Sequence, residues 1–266
     1  LISVYFTDAN TGWAVGNVGT ILKTINGGTS WNSQNSGTEN LLTSICLIND
    51  VTGWTAGNNG TILKTNDGTN WYQLESGTTL DLKSIYFTNS NTGWVVGRFG
   101  TILKTTDGGE SWTSQSSGTA NHLEAVHFIN ENTGWVVGSS GTILKTTDGG
   151  SNWTSLSSGI SRLLYSVYFA DANTGWAVGD VGTIRKTTDG GESWTSQSGG
   201  TGGSAGSWFY SVHFTDHNNG WIIGNERKLK TTNGGEDWVE IQMVTTNLLR
   251  SIFFIDINTG WVVGNY

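Results

Sequence analysis

The sequence predicts an all-β fold, a seven-bladed β-propeller of four-stranded antiparallel blades, and three observations carry the prediction. A Gly-Trp pair recurs at Trp13, Trp54, Trp94, Trp135, Trp176, Trp221 and Trp261, spaced 41, 40, 41, 41, 45 and 40 residues apart. Each period repeats four short segments rich in β-branched and aromatic residues, as in YSVYFAD, TGWAVGD, GTIRKTTDG and SWTSQSG of the fifth copy. Gly, Asn, Asp and Ser clusters separate these segments, and helical periodicity is absent. A repeat of about 41 residues holding four strands matches one propeller blade, whereas leucine-rich and helical arrays need helices or other spacings.

The four segments are named strands A to D. Strands A and B join through turns such as Asp171 to Gly175, where Asn and Gly accept the positive φ of a tight turn. Strands C and D join through a recurrent box, Thr105-Thr-Asp107-Gly-Gly109-Glu-Ser111-Trp112 in the third copy. Its counterparts end at Trp31, Trp71, Trp153, Trp194 and Trp238, with Asp67, Asp148 and Asp189 at the acidic position and Asn26 and Asn233 in its place elsewhere. The acid can accept backbone N–H groups across the turn, and the Trp can pack between neighbouring blades. Every part of the box therefore has a structural job.

Seven A–B pairs are present, the last spanning Ser251 to Tyr266, but only six C–D pairs. Inner strands set the blade number, so the expectation is seven blades with the last incomplete in this chain; the alternative is six blades plus an extra hairpin. Strand B of the last pair, from Thr259 to Tyr266, would then offer an open edge for strand addition. Composition is uniform, and the glycine-rich stretch at 199–208 explains the 45-residue spacing as a longer D–A loop. A single domain over residues 1–266 is expected, with repeats at about 1–37, 38–77, 78–118, 119–159, 160–200, 201–246 and 247–266.

Composition narrows the function. With 39 glycines and no proline among 266 residues, the turns are built from Gly and Asn, while 14 tryptophans supply more apolar surface than a disordered chain carries. A net charge of −8 and a pI near 4.8 remove the basic footprint of a nucleic-acid binder. No run of 18 apolar residues is present to span a bilayer as a helix. Cys46 stands alone and can form no internal disulfide. The chain opens at Leu1 without a signal-peptide pattern, and is expected to be a mature form or a segment of something longer.

The C–D boxes resemble the Asp-box, or bacterial neuraminidase repeat, of sialidases, two-propeller xyloglucanases and sortilin-type receptors. The longer phrase Thr-Gly-Trp-Ala/Val-Val-Gly-x-x-Gly-Thr-Ile-Leu-Lys-Thr-Thr-Asp-Gly-Gly-x-Ser-Trp covers essentially the whole chain. It resembles the propeller family that contains the photosystem II stability and assembly factor together with secreted bacterial relatives. The resemblance implies a non-catalytic binder, with no cofactor, placed outside the cytoplasm as a secreted, periplasmic or cell-surface protein. The arginine-rich patch that it associates with the phototroph factor is not reproduced, because Arg98, Arg162, Arg185, Arg227 and Arg250 do not gather in one copy.

No catalytic residues are expected, the alternatives to a protein-binding scaffold being a carbohydrate-binding or glycoside hydrolase, sialidase-like propeller and a structural repeat module of a larger surface protein. Retaining glycosidases need two carboxyl groups about 5–5.5 Å apart, whereas the acids here, Asp107, Asp148 and Asp189 in C–D boxes and Asp8, Asp171, Asp216 and Asp256 in A–B turns, recur as turn residues. No Gly-x-Ser-x-Gly elbow occurs between a strand and a helix. Asp8-Asn10-Gly12 opens like a calcium loop but lacks its closing glutamate, so no metal site is assigned. Strand A carries a column of Tyr5, Cys46, Tyr86, His127, Tyr168, His213 and Phe253, whose mostly aromatic membership reads as packing and not as metal ligation.

The two faces of the disc differ. The A–B and C–D turns nearly repeat, whereas the opposite connections diverge: Asn17-Val18, Asn58-Asn59, Arg98-Phe99, Ser139-Ser140, Asp180-Val181 and Asn225-Glu226-Arg227. A second column, Ile2, Thr43, Lys83, Glu124, Tyr165, Tyr210 and Arg250, also diverges at the start of strand A and should ring the channel mouth. Variation within one structural frame marks positions released from the demands of the repeat, and loops on rigid scaffolds carry binding. Trp208 lies outside both repeated tryptophan columns. The candidate partner-binding set is therefore Arg98, Phe99, Tyr165, Trp208, Tyr210, Glu226, Arg227, Arg250, Lys83 and Glu124, facing a protein segment, with a glycan as the other candidate ligand.

Overall fold

The computed structural model describes residues 1–199, 207–225, 227–242 and 247–265. Its first sheet contains β1 (Ser3–Phe6), β2 (Gly12–Val15), β3 (Ile21–Thr24) and β4 (Asn32–Gln34), and its second β5 (Leu42–Leu47), β6 (Gly53–Gly57), β7 (Ile62–Thr65) and β8 (Tyr72–Leu74). The third and fourth follow as β9 (Leu82–Phe87), β10 (Gly93–Gly97), β11 (Ile102–Thr105), β12 (Thr113–Gln115), and β13 (Leu123–Phe128), β14 (Gly134–Gly138), β15 (Thr142–Thr146), β16 (Thr154–Ser157). The fifth has β17 (Leu164–Phe169), β18 (Gly175–Gly179), β19 (Thr183–Thr187) and β20 (Thr195–Ser196). The sixth has β21 (Phe209–Phe214), β22 (Gly220–Gly224), β23 (Lys228–Thr231) and β24 (Val239–Glu240). All six are antiparallel meanders.

The expectation of seven blades is corrected: the described residues form six four-stranded blades, and among them the last Gly-Trp copy forms the two-stranded hairpin β25 (Leu249–Phe254) and β26 (Gly260–Gly264). Counting inner motifs overcounts blades because a Gly-Trp pair needs only strands A and B. The hairpin sits in the ring, with β25 against β21 on one side and β1 on the other. The N-terminal ammonium of Leu1 donates to the Gly264 carbonyl at 3.0 Å, and the Val4 N–H donates to Ser251 Oγ at 3.3 Å.

Between sheets, six of the seven strand-B tryptophans stack on a phenylalanine of the next strand A, and Trp13 packs in a cluster with Leu47 of β5 instead. Trp54 lies 3.6 Å from Phe87, Trp94 3.6 Å from Phe128 and Trp135 3.5 Å from Phe169, centroid to centroid. The indole N–H then donates to a glycine carbonyl of the next C–D turn, as Trp54 Nε1 does to Gly108 at 2.9 Å and Trp135 Nε1 to Gly190 at 3.0 Å. A buried indole thus has both its apolar body and its polar tip satisfied. The glycine of the Gly-Trp pair is dictated by crowding: a Cβ at Gly134 would lie 2.5 Å from the Phe128 ring.

The C–D turns use their acids as expected. Asp107 accepts from Thr105 Oγ1 at 2.7 Å and from the Ser111 N–H at 3.0 Å, and these bonds, the Ser111 hydroxyl foremost, pull its carboxyl down to about 2. Trp112 stands edge-on to Phe87, 5.9 Å away, beneath the indole of the preceding blade.

Candidate functional site

Strand register places the start of strand A, the end of B and the start of C at one face, so that the B–C and D–A connections share it. Every strand A from β5 to β25 carries an irregularity here, whereas β1 pairs with β2 without one. Pairing shifts between Leu123 and Ala125, between Leu164 and Ser166, between Phe209 and Ser211, and between Leu249 and Ser251, leaving Glu124, Tyr165, Tyr210 and Arg250 as the extra residues. Lys83 and Thr43 occupy the same position in their strands. A bulge adds one residue that the ladder does not pair and re-aims its side chain. From Thr43 to Arg250 the divergent column of the sequence is therefore a column of bulges, whose residues the ladder does not pair, although the Thr43 hydroxyl donates to the Ala56 and Leu82 carbonyls.

The next residue is the recurrent serine, and it does depend on the ring. Ser44 Oγ accepts the Ile85 N–H at 3.1 Å, Ser84 Oγ the Val126 N–H at 3.3 Å and Ser166 Oγ the Val212 N–H at 3.3 Å. Such bonds tie neighbouring inner strands directly beneath the bulge residues, except between β13 and β17, where Ala125 stands in place of the serine.

Three bulge side chains make a contiguous cluster. The rings of Tyr165 and Tyr210 lie 5.1 Å apart, and the Arg250 guanidinium stands 4.4 Å from the Tyr210 centroid. Burial, reinforced by the Asp180 carboxylate, holds the Tyr165 phenol above its usual range, and burial also raises Tyr210 against the opposing charge of Arg250. Both phenols are protonated donors at neutral pH. Burial raises the Glu124 carboxyl, opposed by the charges of Lys83, His122 and Arg98. Arg98 Nε pairs with Asp81 Oδ2 at 3.0 Å, so part of its charge is already met.

Two large apolar groups stand beyond the bulge ring on the same connections. Phe99 is 60% exposed, holds φ at 54°, and packs edge-on to His122 at 4.9 Å. Trp208 is 43% exposed, and its backbone is fixed by exchange with Asn225, N–H to Oδ1 at 2.8 Å and carbonyl to N–H at 3.1 Å. Val18 and Val181 share the left-handed conformation of Phe99, at φ 51° and 54°. Bulky residues reach that region only at a cost of order 1–3 kcal/mol each.

The structure separates one candidate from the rest. Arg227 turns to the outer strand, where its Nε meets Glu240 Oε2 at 3.4 Å and its side chain is only 11% exposed. It does not join the tyrosine–arginine cluster. Glu226 lies outside the described residues. Sequence reasoning missed Asp180 and Asp81, the carboxylates that set the electrostatics of Tyr165 and Arg98; both occupy variable connections, and that variability was the available signal.

The channel column packs ring against ring. His127 lies 5.2 Å from Tyr86 and 4.9 Å from Tyr168, ring to ring, and His213 lies 5.1 Å from Phe253. Burial drives the His127 imidazole down to about 3 and His213 to about 4, so both are neutral at physiological pH. Among the described residues no group of three or more His, Cys, Asp or Glu side chains could hold a metal.

The family pattern described as Photosynthesis system II assembly factor YCF48 matches residues 1–81, 69–160 and 155–249. The chain belongs to the YCF48 family. Among solved structures, YCF48 bound to D1 peptide shares 20% identity at a TM-score of 0.80, covering 98% of this chain and 87% of that one. YCF48 from Cyanidioschyzon merolae shares 21% identity at a TM-score of 0.80, covering 98% and 92%. The GH74 xyloglucanase from Xanthomonas campestris shares 12% at 0.78, covering 98% of this chain but 50% of that one. These likenesses show the propeller fold that the YCF48 family and more distant enzymes have in common. No curated protein sequence matches the chain significantly.

Proposed function

We propose that this member of the YCF48 family is a non-catalytic scaffold or assembly factor that binds an extended protein segment across the mouth face. The observation that carries the reading is the cluster of Tyr165, Tyr210 and Arg250 on consecutive bulges, flanked by the exposed ring of Trp208. Aromatic rings with polar tips and an arginine are the residue types that dominate binding hot spots. A relative solved with a D1 peptide bound supports a protein ligand over a sugar. Placement outside the cytoplasm is part of the same reading, and cell fractionation tests it. A second surface for strand addition is the outer edge of β26, which pairs with no strand among the described residues.

Panning a displayed random-peptide library on the intact protein tests the main reading. Selected peptides should lose at least about tenfold in affinity on the double variant Trp208→Ala, Tyr210→Ala, a difference of about 1.4 kcal/mol. They should bind Ile257→Ala, on the opposite face, as they bind the parent. Equal affinity for all three proteins, or selective binding to a glycan array with no peptide selected, overturns it.

A further inference from the structure

The edge of β26 carries a more detailed specification than an unpaired strand alone. In the complete blades, strand B pairs with strand C in one register, for example Gly93 with Thr105, Trp94 with Lys104, Val95 with Leu103 and Val96 with Ile102. The lysine of that strand covers the indole, with Nζ 5.5 Å from the Trp94 centroid and 5.7 Å from that of Trp135 for Lys145. Strand B is then buried along its length. In β26 the same residue types are present, but Gly260 is exposed and Trp261 and Val262 are half-buried. No lysine stands over Trp261 among the described residues.

Hydrogen-bond alternation identifies the free groups. The Thr259 carbonyl accepts from Ile255 N–H at 3.1 Å on the β25 side, so Trp261 and Val263 also face β25, and the amides of Gly260, Val262 and Gly264 face outward. A second deficit lies one sheet away. Trp13, Trp54, Trp94, Trp135, Trp176 and Trp261 all donate Nε1–H to a glycine carbonyl of the next sheet's C–D turn. Trp221 stacks on Phe254 at 3.8 Å, as all of these but Trp13 stack on a phenylalanine, yet its indole N–H has no such acceptor among the described residues, where β25 and β26 bring no C–D turn. A third is a cavity of about 400 Å³ between the hairpin and the first blade, lined by Leu22, Trp31, Leu249 and Val263 among others.

We propose that β26 docks a partner segment of defined chemistry: an antiparallel strand reading Ile-Leu-Lys-Thr, or its close apolar equivalent, followed by an Asx-Gly-Gly turn. In the repeat's register its isoleucine lies opposite Val263 and enters the cavity, its leucine lies opposite Val262, and its lysine covers Trp261. The turn glycine offers its carbonyl to Trp221 Nε1. A second copy is not the donor, since every strand C among the described residues is already paired within its own blade. The described residues supply no strand for this edge. This inference rests on the β26 edge as a docking site and is independent of the mouth face.

A synthetic peptide with the sequence of residues 100–115 tests it, by calorimetric titration into the intact protein and by amide hydrogen exchange. Binding with protection at Val262 and Gly264 is expected. Exchanging the peptide's lysine for glutamate should weaken binding at least tenfold. N-methylation of the peptide's leucine, whose N–H must donate to β26, should abolish binding, whereas N-methylation of its lysine should be tolerated. The protein variant Val262→Pro removes one outward N–H and should bind at least tenfold more weakly; the methylated peptides read the same pairing on unaltered protein. No binding, equal binding of both methylated peptides, or protection elsewhere with β26 unchanged overturns the proposal. Loss of mouth-face peptides in Trp208→Ala leaves this result untouched, so the two readings fail separately.

Discussion

Trp261 of the terminal hairpin stacks on Phe6 of the first strand, ring centroids 3.5 Å apart and planes 7° from parallel, while its indole N–H reaches the Gly27 carbonyl at 2.9 Å. One side chain thus joins the two ends of the ring across 234 residues of sequence. Replacing Trp261 with alanine removes a half-buried indole, its aromatic partner and a hydrogen bond together. A loss of about 3 kcal/mol is expected, read by urea denaturation. Unchanged stability would show that the hairpin contributes nothing to closure.

The channel histidines make stability pH-dependent. Their imidazoles titrate lower in the fold, at about 3 and about 4, than the ordinary 6.5. Below pH 6.5 the unfolded chain therefore binds protons that the folded one refuses, and stability falls as pH drops toward 4. The slope is at most about 1.4 kcal/mol per pH unit per histidine. His127→Phe combined with His213→Phe should flatten the melting temperature between pH 6.5 and 4, since Phe253 already fills the same column. It should also remove the unpartnered Nδ1 of His127. A melting profile as steep as the parent's would contradict this assignment.

Gly134 should tolerate no side chain. An alanine Cβ there would lie 2.5 Å from the Phe128 ring, which is itself stacked on Trp94 and has nowhere to go. Gly134→Ala is expected to cost about 1–3 kcal/mol by thermal or chemical melting. A neutral result would mean that the stacked pair yields easily.

Val181 on the mouth face holds φ at 54° as a β-branched residue. Val181→Gly should therefore be neutral or stabilising by up to about 1 kcal/mol, the reverse of the usual cost of adding glycine. Destabilisation beyond 1 kcal/mol in urea melts would show that Val181 makes a packing contribution larger than its strain.

The repeat period, strand order and division of the faces were legible because each blade is a local meander whose pattern returns with every Gly-Trp pair. The blade count was not, since a strand A–B hairpin bears the same signature whether or not strands C and D follow. The bulges were legible only through their effect: a column from Thr43 to Arg250 that varies beside a column that is serine in every copy but the fourth, where it is Ala125. Arg227 was misplaced because its partner, Glu240, is reached across two paired strands and not along the sequence. The aromatic column of His127 and Tyr168 read as packing from composition alone, and its ring contacts bear that out.

Hydrogen–deuterium exchange on the protein with a selected peptide bound is the most direct test of the mouth-face assignment. Protection is expected in the B–C connections around Phe99 and Val181 and at the bulges of Tyr165, Tyr210 and Arg250, with the A–B and C–D turns unchanged. Protection confined to those repeated turns, around Asp107, Asp148 and Asp189, would contradict it.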